Sequence, residues 1–103
     1  IWRGLIALNI LKNDNKKILY FGTTMFQKRN KHNLFNDFNE EIPMYLENKK
    51  IMKILKNINL QKGSSNYLKN LKLSYKALIQ NSIISKKEIY FLNSWIKDCK
   101  NLI

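Results

Sequence analysis

The side chains able to do chemistry in this chain are few and far apart. Among its 103 residues stand one cysteine, Cys99, one histidine, His32, and one acidic cluster, Asp37, Glu40 and Glu41. Cys99 belongs to the series Ile89, Leu92, Ile96, Cys99, Ile103, whose steps of 3, 4, 3 and 4 mark one face of a helix. A thiol on that face reads as an inert core group and not as a nucleophile. His32 lies in the polar stretch Gln27–Asn33 with Lys28, Arg29 and Lys31, where a solvated imidazole is expected. Sixty-six residues separate it from Cys99, and no acidic residue supplies the spacing of a zinc site. Asp37, Glu40 and Glu41 could in principle serve as acid and base. They precede Pro43, however, and negative charge there suits the positive end of a helix. Three glycines cannot build the phosphate-cradling loops or a nucleophile elbow. The residues therefore predict no catalytic group, no cofactor and no metal, and so a protein that is not an enzyme.

Charge is the next constraint. The formal net charge is +12, carried by seventeen lysines and two arginines, Arg3 and Arg29. The chain contains no valine and is rich in Asn, Lys and Ile, as an AT-biased genome produces. Lysine accumulates under such drift, whereas selection for bidentate phosphate contacts keeps arginine. The basicity thus points to acidic protein segments as partners. RNA is the second candidate, on the interleaving of Tyr20, Phe21 and Phe26 with Lys28, Arg29, Lys31 and His32. A single cysteine allows no internal disulfide and favours an intracellular setting. No apolar run reaches the roughly 18 residues of a membrane span.

The elements that would position these groups are mainly helical. The length suits one small domain, and a start at Ile1 without Met suggests a fragment or processed product. Residues 1–12 are apolar on most sides and fit a buried helix, ended by the cluster Asn13-Asp14-Asn15. Ile18, Phe21, Gly22, Met25 and Phe26 share one helical face; a short strand or an irregular segment within residues 17–33 is the competing reading. Pro43 suits the first turn of a helix, whose apolar stripe is Ile51, Ile54, Leu55 and Ile58. Gly63, Ser64 and Ser65 end it. A short helix carries Tyr67, Leu68 and Leu71, and Ser74 can cap another with Tyr75, Leu78 and Ile79. Ser85-Lys86-Lys87-Glu88 has the form of a capping box, stapled by Ile84 and Ile89, ahead of the last helix. The expectation is an all-α bundle of five to six helices in one domain, residues 1–103, with 43–103 the better-defined bundle and 1–42 the less defined segment.

Residues 51–103 carry a family resemblance. Ile51-Met52-Lys53-Ile54-Leu55-Lys56-Asn57-Ile58, then Tyr67-Leu68-Lys69-Asn70-Leu71, then Tyr75-Lys76-Ala77-Leu78-Ile79 set out three helices. The turn Ser85-Lys86-Lys87-Glu88-Ile89 leads to an ending, Leu92-Asn93-Ser94-Trp95-Ile96-Lys97-Asp98-Cys99-Lys100, with the rhythm of a long last helix. This pattern resembles the N-terminal (LW) domain of transcription elongation factor TFIIS, although the signature Trp position holds Cys99 and a Trp falls one turn earlier at Trp95. The resemblance implies a non-catalytic protein–protein interaction module that docks acidic disordered motifs of elongation factors. Lys86, Lys87, Lys97 and Lys100 would then rim the docking groove, in the nucleus. The alternative is a small basic subunit of a ribonucleoprotein such as an organellar ribosome, in a mitochondrion or plastid.

Overall fold

A computed structural model describes residues 2–102 of the chain. Among these residues it is all-helical, with α1 (Trp2–Asn13), α2 (Leu34–Lys56), α3 (Tyr67–Gln80) and α4 (Glu88–Leu102), and a short 3₁₀ turn at Ser64–Asn66. The expected fold class holds, with four α-helices in place of five or six. Ile103, placed at the end of the last apolar stripe from sequence, lies outside the described residues.

The core is formed by one face of each helix. Ile6 and Ile10 of α1, Ile51 and Leu55 of α2, Tyr75 and Leu78 of α3, and Leu92 and Ile96 of α4 are buried together. Within each pair the spacing is three or four residues, so each pair shares one helical side. α3 is the hub, packing against α1, α2 and α4.

Two helix ends explain how the chain turns back. After α1, Asn15 takes a left-handed φ of 56°. Lys16 N–H then donates to the Leu11 carbonyl at 2.9 Å, and Asn15 N–H to that of Lys12 at 3.1 Å. α3 ends the same way on Ser82, φ 58°, with Ile83 N–H to Leu78 at 2.9 Å and Ser82 N–H to Ile79 at 3.0 Å. Both are the two-bond C-terminal closure that satisfies otherwise orphaned carbonyls. In the second, Ile83 also packs on the core.

Where sequence and structure differ, local hydrogen bonding decides. The two short helices expected over 67–79 are one helix, because Ser74 does not cap. Its hydroxyl is fully buried and donates to the Asn70 carbonyl one turn back, at 2.9 Å. α2 begins nine residues before Pro43, since Asn33 caps it, accepting from Phe35 N–H at 3.0 Å and Asn36 N–H at 3.3 Å. Pro43 therefore lies inside the helix and leaves the Asn39 carbonyl without its usual donor. That surface is exposed, so water can serve it. The helical face expected at Ile18–Phe26 does not form: residues 16–33 carry no helix or strand and are exposed throughout, as the competing irregular reading anticipated.

Candidate functional site

Three polar residues fix the frame. Asn70, 1% exposed, accepts from Gln61 N–H at 3.1 Å and donates to the Gln61 carbonyl at 2.7 Å. It thus holds the loop between α2 and α3 as a peptide would. The Asp14 carboxylate accepts from the Tyr67 hydroxyl and from Gly63 N–H, each at 2.7 Å. These two bonds, the Tyr67 one first, hold the Asp14 carboxyl below the usual carboxylate range. The same bond raises the Tyr67 hydroxyl. Asn9 donates from its side chain to the Leu55 carbonyl at 3.0 Å, tying α1 to α2.

Against this frame, α1, α3 and α4 enclose a groove of about 460 Å³, within the range of roughly 300–1,000 Å³ common for small-molecule sites. From α4 it takes Glu88, Phe91, Leu92 and Trp95, from α3 Leu71 and Tyr75, and from α1 Arg3. The α4 residues are spaced 3, 1 and 3, which places them on one helical face. Leu92 and Tyr75 are buried and form the floor, while Phe91 and Trp95 are exposed and form an aromatic wall. Arg3 and Glu88 close one end, with Nη2 to Oε2 at 3.2 Å. This bond is the first cause of an Arg3 guanidinium held above its ordinary value, followed by the nearby Tyr75. Trp2 meets Tyr75 edge to face, centroids 5.1 Å apart, and Arg3 lies 5.1 Å from the centre of the Trp2 ring. The groove therefore has apolar ring faces along its length and a donor–acceptor pair at its end.

This pairing alters the expected capping box. Ser85 accepts from Lys87 N–H at 3.3 Å, two residues on and not three. Glu88 turns away from the Ser85 backbone to reach Arg3, eighty-five residues off in sequence. The staple residues Ile84 and Ile89 do pack on the core.

The residues singled out from sequence lie elsewhere. Lys86 and Lys87 are exposed in the turn before α4, and Lys97 and Lys100 are exposed on α4. Lys97 is two residues from Trp95 and so about 200° round the helix; Lys100 is five away, about 140° round. None of the four lines the groove. His32 and Asp37 come together, Nε2 to Oδ2 at 3.3 Å, at a wide concavity of about 940 Å³ that also includes Glu40, Glu41 and Arg29. Glu41 accepts from the Tyr45 hydroxyl at 3.3 Å. Cys99 is partly buried and unpaired. Among the described residues no three His, Cys, Asp or Glu side chains converge as a metal site would require. Sequence reasoning missed Arg3, Glu88 and Trp95 as a set. Phe91 and Trp95, on the same helix as the buried Leu92 and Ile96, are both exposed.

Comparison with known proteins gives the class. A family model described as STELLO glycosyltransferases matches residues 1–103. The chain belongs to the STELLO glycosyltransferase family. No curated protein and no solved structure matches it. Family membership overturns the likeness to the TFIIS N-terminal domain, which rested on a helical rhythm that any amphipathic helix can supply. It also overturns the docking module for elongation factors and the ribonucleoprotein subunit, and with them the intracellular location in nucleus, mitochondrion or plastid. The expectation of a protein that is not an enzyme falls too, because the family is one of glycosyltransferases. The expectation that no helix spans a membrane stands: among the described residues none is long and apolar enough.

Proposed function

We propose that this chain serves glycosyl transfer, and that the groove between α1, α3 and α4 contacts a carbohydrate. The observation that carries the reading is the arrangement of Trp95 and Phe91 beside the Arg3–Glu88 pair, in a chain of a glycosyltransferase family. A pyranose has an apolar face of C–H groups and an equatorial rim of hydroxyls. The exposed ring of Trp95 offers an apolar surface with a negative π face to the first. Glu88 accepts from hydroxyls and Arg3 donates to them, which supplies both halves of a hydroxyl pair's hydrogen bonding. Tyr75 and Leu92, buried beneath, hold the floor rigid, so little ordering is required on binding.

Calorimetric titration with gluco-, galacto- and manno-configured disaccharides tests this. At least one should bind, and Trp95→Ala should weaken it by roughly tenfold or more, on the scale of one to two kcal/mol for an aromatic contact. Glu88→Gln should weaken it less and leave the fold intact. Disaccharide binding that survives Trp95→Ala unchanged, or no binding to any of the panel, contradicts the reading.

A further inference from the structure

Among the described residues the longest stretch without helix or strand lies between α1 and α2. Over nine residues, Ile18, Leu19, Tyr20, Phe21, Met25 and Phe26 are all exposed, and the last five are between 73% and 91% open to solvent. Isolated exposed apolar residues are ordinary; a contiguous group this large marks an interaction surface. None of the six packs on the core.

Their nearest charged neighbours in sequence are basic, and in space Lys28, Arg29 and Lys31 border the concavity that also holds Asp37, Glu40 and Glu41. From Lys16 to Asn36 there is no acidic residue. Lys16 and Lys17 precede the apolar group, and Lys28, Arg29 and Lys31 follow it, all five exposed. Basic residues thus stand on both sides of this exposed apolar segment. From these two observations we propose that residues 16–31 form a membrane-surface anchor, in which the Ile18–Phe26 side chains enter the interface of an anionic bilayer and the flanking cations bind lipid headgroups.

The physics limits the depth. Residues 16–33 form no helix or strand, so most of their backbone N–H and carbonyl groups lack the internal bonding that the hydrocarbon core demands. Aromatic and aliphatic side chains can still settle among headgroups and upper acyl chains, the region that Tyr favours. Basic residues near such a surface are drawn to anionic lipid and lose that attraction as salt rises. Charge also selects the occupant. A second copy of this chain would oppose the same five cations to one another, which disfavours self-association. This inference is independent of the carbohydrate groove, which lies on other residues.

Co-sedimentation of the whole chain with vesicles tests it. Vesicles of phosphatidylcholine with phosphatidylserine should bind the protein, phosphatidylcholine alone should not, and added salt should release it. The variant Tyr20→Ser/Phe21→Ser/Phe26→Ser should lose roughly tenfold or more in apparent affinity, and Lys28→Gln/Arg29→Gln/Lys31→Gln should lose a similar factor. Because these side chains are exposed, helical circular dichroism should match the parent. Equal binding to both vesicle types, equal binding by the aromatic variant, or absence of binding to either overturns the proposal. So does a dimer in sedimentation velocity that the aromatic variant abolishes, since the surface would then belong to a protein interface.

Discussion

The last 53 residues and the stretch from Lys16 to Lys50 draw on the same amino acids but treat them in opposite ways. In α3 and α4 the apolar residues recur at three and four, and the inner ones are buried: Leu78 is 0% exposed and Ile96 4%. In the earlier stretch Phe26, Phe35 and Leu46 are 91%, 82% and 79% exposed. α2 passes between the two regimes. Its second half anchors through Ile51 and Leu55, while its first half carries Phe35 and Phe38 on exposed surface. The chain's radius of gyration reflects the protruding part: it is 15.7 Å, whereas a compact domain near 100 residues has about 13 Å. Stability is thus concentrated in one region, and the other presents surface that this fold does not itself consume.

Breaking the core should separate the regions most sharply. Leu78→Ala empties a fully buried site on the hub helix and should cost about 3–4 kcal/mol in urea unfolding. Phe35→Ala, exposed on α2, should change stability by less than about 0.5 kcal/mol. A comparable loss for both would mean that the first half of α2 is packed. Asn70→Ala should cost about 1–3 kcal/mol, because both backbone groups of Gln61 lose their buried partner.

The pH dependence of folding should trace to the same side of the comparison. Asp14 has a carboxyl held low by Tyr67 and Gly63, so its folded form binds a proton less readily than the unfolded chain does. Its contribution is fully present above the usual carboxylate range and is lost as pH falls through the lower folded value. The melting temperature should therefore drop on acidification below about pH 4, and Asp14→Asn should flatten that drop. A fall of equal size in the Asn variant would assign the effect to other carboxylates. Ser85→Ala should cost only about 0.5–1 kcal/mol, because the cap is a single 3.3 Å bond on exposed surface. An unchanged melting temperature would show that α4 starts without its help.

Helical class was legible wherever apolar residues recur at three and four around a buried face. The same period misled at Ile18–Phe26. Spacing gives a face but not a surface for it to pack against, and no other element covers that one. The split of α3 at Ser74 was misread because a serine hydroxyl can cap a following helix or bond back to the preceding turn, and only its burial chooses. Pro43 was misread because Asn33 offers a cap ten residues earlier. The groove was illegible for a different reason. Arg3 and Glu88 lie eighty-five residues apart, and no local pattern announces a pair brought together by α1 and α4 each packing on α3. The likeness to another helical family arose from the most general feature of the chain, its amphipathic rhythm.

The central claim is that carbohydrate is held by the groove of the packed bundle and not by the wider, charged concavity near His32 and Asp37. Mapping amide and indole chemical shifts during titration with a disaccharide that binds addresses it directly. The account predicts perturbation of the Trp95 indole N–H and of the Leu71, Phe91 and Glu88 amides, with the Lys28–His32 amides unmoved. Shifts confined to Lys28–His32 and Asp37–Glu41, with Trp95 silent, would contradict it.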